Sequence, residues 1–222
     1  MAFSVIVASR FPDIAEPLLK TIRELEPFAS VVVVANGPGR KKRSYPGCLV
    51  LDYGKEKFVY ARAMNMGIRH SDPDNVILLN DDCLLLEFGS LRLLDAIGRS
   101  RPDIGILSPL IKGCVCNPVQ RFHEKGVYWG EKKEILYIHG DEAVCFPCIW
   151  INRAAIEKVG LLNEKFVTYG GEDNEYCNRT RANDFRVSVT NAVTVQHGDG
   201  GPELTEGRGK TWSLSFARTQ PK

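Results

Sequence analysis

The segment VILLNDDCLL, residues 76–85, sets Asn80, Asp81 and Asp82 into an otherwise apolar run. Two adjacent carboxylates repel each other in a partly dry cleft, and a bound divalent cation keeps both ionised at the least cost. Hard oxygen donors favour Mg2+ or Mn2+, ions that retain coordination positions for substrate phosphates. The plainer reading is a strand-end turn, because Asn and Asp are ordinary turn residues. A second acid pair, Glu172 and Asp173, follows Gly170 and Gly171 in GGED. Glycines let a ligand approach the backbone, and a carboxylate at a helix start can be aimed into a cleft. Here the plainer reading is an acidic first turn favoured by the helix dipole alone.

The elements around these residues alternate. FSVIVAS (3–9), SVVVVANG (30–37), CLVLDYG (48–54) and NVILLN (75–80) read as strands, with helices expected at 13–26, 59–70 and 90–99. Continuous apolar strands suit a parallel sheet covered on both faces, whose ligands lie beyond the carboxyl ends of the strands. That rule puts Asn80, Asp81 and Asp82 at the rim, together with Ser9 and Arg10 after the first strand. The second half suggests a mixed sheet: a hairpin or bent pair in GVYWGEKKEILYIHG, a strand in AVCFPCIWI, a short helix in NRAAIEKVG, a helix from GGED, and last strands in FRVSVTNAVTVQHG.

Composition narrows the partners. The 222 residues are 44% hydrophobic and 25% charged, which suits one continuous core, and a net charge of +2 gives no general case for nucleic acid or membrane. RKKR (40–43) reads as a solvated loop. No apolar run approaches the roughly 18 residues of a membrane span and the N-terminus has no leader pattern, so a cytoplasmic protein is expected. Seven scattered cysteines suggest reduced thiols. A zinc site from Cys114, Cys116, Cys145 and Cys148 is the weaker alternative, because one residue separates the first pair where zinc knuckles have two to four.

Taken in order, SVIVASR, VVVVANG, ARAMNMGI, VILLNDDCLL, IGILSPLI and the stretch from CIWINRAAIEKVG through GGEDNEYCNRTRAN to VTVQH resemble the inverting GT-A glycosyltransferases of the large family 2 group. The resemblance covers roughly residues 3–197. It implies a single α/β GT-A domain over 1–197, with a Rossmann-like mixed central sheet flanked by helices. Residues 1–110 would form the nucleotide-sugar half, 111–197 the acceptor half, and 198–222 a tail or lid. Asp82 matches the metal-binding carboxylate, with Asp81 as a helper and His197 as a late histidine completing the site for Mn2+ or Mg2+. Asn80 stands where the motif has its first acid. Ala35 replaces an acid that reads the nucleotide base in relatives, leaving Asn36 or Asp52 as substitutes. Ser9, Arg10, Arg62, Asn65, Asn80 and Asp81 complete the expected nucleotide-sugar contacts.

On the acceptor side the resemblance makes Asp173 the general base, with Glu172 orienting the acceptor or sharing the role, and Arg179 the motif arginine. Gly170, Gly171 and Trp150 are expected to face the acceptor. The implied reaction is metal-dependent, inverting sugar transfer from a nucleoside-diphosphate sugar to a glycan or other hydroxyl acceptor, with no nucleic acid and no integral membrane segment. Two rivals stand beside it: a nucleotidyltransferase of sugar phosphates, and a glycosyltransferase-like binding module without turnover. RFPD lacks the glycine-rich phosphate loop of the first; Asn80 and Ala35 keep the second alive, while the presence of Asp82, Glu172, Asp173 and His197 together argues against it.

Overall fold

The computed structural model describes residues 3–37, 39–72, 74–113, 117–122, 135–140, 142–167 and 170–198. Strands β1 (Ser4–Ser9), β2 (Ser30–Ala35), β3 (Cys48–Asp52) and β4 (Val76–Asn80) are parallel neighbours in the order β3-β2-β1-β4. The helices α1 (Pro12–Leu25) and α2 (Tyr60–His70) connect them. The sheet continues through β8 (Cys148–Ile151), β6 (Ile104–Gly113) and β9 (Arg186–His197) to β5 (Cys83–Leu85), with β7 (Ile135–Ile138) also on β9. β8 runs against β4 and β6, and β9 runs parallel to β6. The carboxyl ends of β1, β2, β3, β4, β6 and β9 therefore share one edge. The expected division at 110/111 falls inside β6, so both halves contribute to one sheet.

Both faces are covered, which explains the unbroken apolar runs. Val5, Val7, Val31, Val33, Ile77 and Leu79 pack under α1 and under α3 (Ser90–Arg99). Ile6, Ala8, Val32, Val34 and Leu78 face α2, α4 (Arg153–Val159) and α5 (Glu172–Ala182). Gly67 lets α2 approach β1, since a Cβ there would lie 2.2 Å from Ile6 Cγ2. Glu26 caps α3 from outside it, accepting the Leu91 amide at 2.6 Å where the helix's own Gly89 has no side chain.

Several expectations need correction. AVCFPCIWI is strand only from Cys148, and FRVSVTNAVTVQHG forms one 12-residue strand with a register shift near Pro109 and Leu110 of its neighbour. The hairpin expected in GVYWGEKKEILYIHG lies mostly outside the described residues; its described part, β7, pairs with β9. β5 was not expected. Cys114 and Cys116 of the zinc alternative, and residues 199–222 of the expected tail, also lie outside the described residues. Neither Cys145 nor Cys148 forms a disulfide among the described residues, and burial pushes the Cys148 thiol well above its usual range.

Candidate active site

The sheet register aligns the donor-side candidates. Ser9 pairs with Ala35, Ala35 with Asp52, and Ala8 with Asn80, so these strand ends form one row. The loops beyond them interlock: the Asn36 amide donates to the Ser9 carbonyl at 2.8 Å, and a Cβ on Gly37, which has φ +78°, would meet the Arg10 carbonyl at 2.7 Å. Ser9 and Asn36 are buried, Arg10 is exposed with its guanidinium over the Phe11 ring.

Two arginines of RKKR depart from the expected solvated loop. Arg43 donates to the Ser9 and Arg10 carbonyls at 3.2 and 2.6 Å, bracing the loop after β1. Arg40 pairs with Asp52 at 2.7 Å. The Gly54 amide and then Arg40 hold the Asp52 carboxyl below its ordinary value. No local pattern distinguishes these arginines from Lys41 and Lys42, because their partners come from other loops.

After Asn80 the chain turns through Asp81 and Asp82 into β5, which pairs Cys83 with His197, Leu84 with Gln196 and Leu85 with Val195. This short antiparallel pairing brings His197 to the NDD turn across 115 residues of chain. His197 Nε2 lies 3.3 Å from Asp82 Oδ1 and 3.3 Å from Asn80 Nδ2, and the Gly198 amide donates to the Asp82 carbonyl at 3.1 Å. β6 closes the other side. Gly113, at φ +102°, sits opposite His197, where a Cβ would come within 2.3 Å of the His197 carbonyl. Gly113 was absent from the sequence expectations, and its only signal is being a glycine at a strand end.

Asp82 and His197 suit a divalent cation. Two donors held side by side on an octahedral ion at about 2.1 Å lie about 3 Å apart, close to the observed 3.3 Å. Among the described residues no group of three or more His, Cys, Asp and Glu side chains gathers into a complete metal site. Asp82 and His197 would supply two of a cation's ligands, a carboxylate oxygen and an imidazole nitrogen. Asp81 does not complete the set. It is buried, and no described group of three or more potential ligands includes it.

The acid pair of GGED opens α5. Gly170 and Gly171 have φ of +96° and +99°, a conformation that L side chains rarely adopt, and Phe166 crowds Gly171. Thr180 in the last turns of α5 crowds Gly105 at the start of β6, whereas Tyr176, one turn into the helix, meets Phe146 beside the Pro147 carbonyl that accepts the Asn80 amide, so the helix start lies toward the carboxyl edge of the sheet. Burial raises the Glu172 carboxyl above its ordinary value, and the Asp173 charge adds to the effect. Glu172 Oε2 is buried without a hydrogen-bond partner among the described residues. Burial also raises Asp173, against opposing hydrogen bonds from the Asn174 and Gly171 backbone. Such carboxylates are more basic than ordinary ones, as proton acceptors need to be.

Other candidates are engaged elsewhere. Trp150 is fully buried on β8, packed against Gly98 and donating to Asp95 Oδ1 at 2.9 Å, so it is a core residue and not an acceptor platform. Arg62 pairs with Glu56 and Glu164. Asn65 is buried and bonded to Leu162 and Glu164. Arg179 pairs with Glu175 and donates to the Val159 and Leu161 carbonyls at 2.7 and 2.8 Å.

No protein-family model matches the sequence, and no curated protein does. Solved structures do match. The S. aureus TarS crystal structure aligns at 17% identity and a TM-score of 0.65, covering 89% of this chain and 36% of that one. GalNAc-T7 with UDP, GalNAc and Mn2+ aligns at 13% identity and 0.69, covering 89% and 44%. The mannosyltransferase PcManGT from Pyrobaculum calidifontis, in complex with GDP-Man and Mn2+, aligns at 17% and 0.63, covering 91% and 58%. The chain thus spans less than two thirds of each of these proteins. A single α/β domain with a mixed central sheet flanked by helices, the chain has the GT-A architecture that these structures share.

Proposed function

We propose that the protein transfers a sugar from a nucleoside-diphosphate sugar to a glycan or other hydroxyl acceptor, with a divalent cation and with inversion at the anomeric carbon. The observation that carries this reading is the meeting of Asp82 and His197 at the carboxyl edge of a GT-A sheet. UDP, GalNAc and Mn2+ accompany the matched GalNAc-T7 structure, and GDP-Man and Mn2+ the matched PcManGT structure, which supports the choice of ligand.

Asp82 and His197, with the Asn80 amide beside them, would hold Mn2+ or Mg2+, which when bound supplies positive charge to the leaving diphosphate. The loops at Ser9–Arg10 and Asn36–Gly37 would receive the nucleoside. With Ala35 where an acid is common, the base edge falls to Asn36 and to Asp52 with its partner Arg40. Asp173 takes the proton of the attacking hydroxyl as that oxygen bonds to the anomeric carbon and the diphosphate leaves from the opposite face. Glu172 Oε2 offers a hydrogen-bond acceptor that an incoming sugar hydroxyl can satisfy.

The test is a thermal-shift panel of UDP-, GDP- and dTDP-sugars with Mn2+, Mg2+ or EDTA. Stabilisation by one nucleotide family, dependent on metal, is the expected result. The incomplete ligand set and Asn80 favour one second reading, a donor-binding module without turnover; stabilisation without donor hydrolysis or transfer would select it.

A further inference from the structure

The sequence resemblance puts Asn65 among the donor contacts, yet its side chain is committed elsewhere. Asn65 Oδ1 accepts the Leu162 amide at 3.0 Å, and Nδ2 donates to the Leu162 carbonyl at 2.8 Å and to Glu164 Oε1 at 2.9 Å. With its residue 1% exposed, this amide is closed off from a nucleotide. Glu164 is also gripped by Arg62 and Arg69, and the Asn65 hydrogen bond is the first cause of its lowered carboxyl pKa.

The same segment is held from the opposite side by α5. Arg179 takes the Val159 and Leu161 carbonyls, and the Tyr176 hydroxyl donates to the Gly160 carbonyl at 3.1 Å. Tyr176 in turn meets Phe146 edge-on at 6.3 Å between ring centres, and the Phe146 carbonyl accepts the Tyr60 hydroxyl at 3.1 Å. Helices α2 and α5 are therefore fastened to one stretch of backbone, 159–164, from two sides.

We infer that Asn65 is a positioning residue: it ties α2 to segment 159–164 and so sets where the first turn of α5 presents Glu172 and Asp173, without touching donor. The catalytic consequence rests on the transfer reading above; the mechanical one does not. An amide is required because the pairing uses one donor and one acceptor on the same backbone unit. Asn65→Asp keeps the shape, loses the donor, and sets a carboxylate against Glu164.

Hydrogen exchange resolved by peptide, with calorimetry using UDP, GDP and dTDP plus Mn2+, tests the inference. Asn65→Asp is expected to speed exchange at least tenfold in peptides spanning 160–175, to leave β1 and β2 unchanged, and to preserve whatever nucleotide affinity the native protein has. Where transfer is measurable, kcat falls at least tenfold with donor KM within twofold. Unchanged exchange at 160–175, an increase spread over the whole sheet, or a tenfold loss of nucleotide affinity would each overturn it. Should Asn65→Asp fail to fold, Glu164→Gln, on a partly exposed side chain, is expected to give the same local effect at smaller size, and native exchange in that variant overturns the inference. If the native protein binds no nucleotide and transfers nothing, the transfer reading fails while the exchange result still decides the mechanical claim.

Discussion

The two acid pairs that face the carboxyl edge of the sheet are held by different physics. Asp82 leaves a strand end and meets an imidazole brought by β9, a setting suited to sharing a cation. Glu172 and Asp173 start a helix and meet backbone amides and burial, a setting that raises their proton affinity. Adjacent carboxylates in sequence thus become unlike groups in space: Asp82 lies beside an imidazole, whereas burial raises the proton affinity of Glu172 and Asp173; the proposed reaction would use the first toward the leaving diphosphate and the second toward the acceptor proton. Burial also separates Asp82 from its neighbour Asp81: Asp81 is buried, whereas the Asp82 side chain is partly exposed beside His197.

The comparison can be broken first at Asp173. Asp173→Asn should lower transfer by about a thousandfold, within the usual range for losing a general base, while calorimetry shows nucleotide binding near native. If the native protein transfers sugar as proposed, kcat/KM should fall as pH drops through the raised Asp173 pKa, because protonation would remove the proposed base; an acid limb in the ordinary carboxylate range would assign the role elsewhere. Asp82→Ala should instead weaken donor binding by about a hundredfold when Mn2+ is present, with little change in EDTA. Equal weakening under both conditions would separate Asp82 from the cation.

Gly113→Ala probes the backbone behind the first pair. Its positive φ and the approach to the His197 carbonyl predict a loss of about 2–3 kcal/mol in denaturant unfolding, with donor binding less dependent on Mn2+. A native-like midpoint would show that β6 does not fix His197.

The smallest effect should come from Glu172→Gln. The folded pKa of Glu172 lies above the unfolded value, so ionising the buried carboxyl costs stability at neutral pH, and stability is regained as pH falls through the folded pKa. The variant should be more stable at pH 7 by about 1 kcal/mol, because a neutral amide avoids part of the cost of burying a charge, and the advantage should shrink toward pH 4. A destabilised variant at neutral pH would mean that the Glu172 charge is compensated in the fold.

What the sequence made legible follows from locality. Apolar runs ended by Asn, Asp or Gly placed the parallel strands and their chemical ends, and glycines before an acidic turn placed the start of α5. Long-range pairing was less accessible. β5 is three residues long and exists through β9, so neither its pattern nor its propensity could announce that Cys83 lies opposite His197. Trp150 carries a polar N–H that is satisfied inside the core by Asp95, which no local rule separates from a ring exposed to sugar. Asn65, Arg43 and Arg179 likewise draw their roles from carbonyls on other segments. Family resemblance pointed to the NDD turn and to GGED; the side chains that hold them in place came from the fold.

Turnover tests the central claim most directly. Release of nucleoside diphosphate should be followed with UDP-, GDP- and dTDP-sugars, a panel of mono- and disaccharide acceptors, and either Mn2+ or EDTA, in the native protein and Asp173→Asn. The account predicts release from one nucleotide family, dependent on Mn2+, and lost in the variant. A native protein that is stabilised by a donor yet releases no diphosphate under any of these conditions would contradict it.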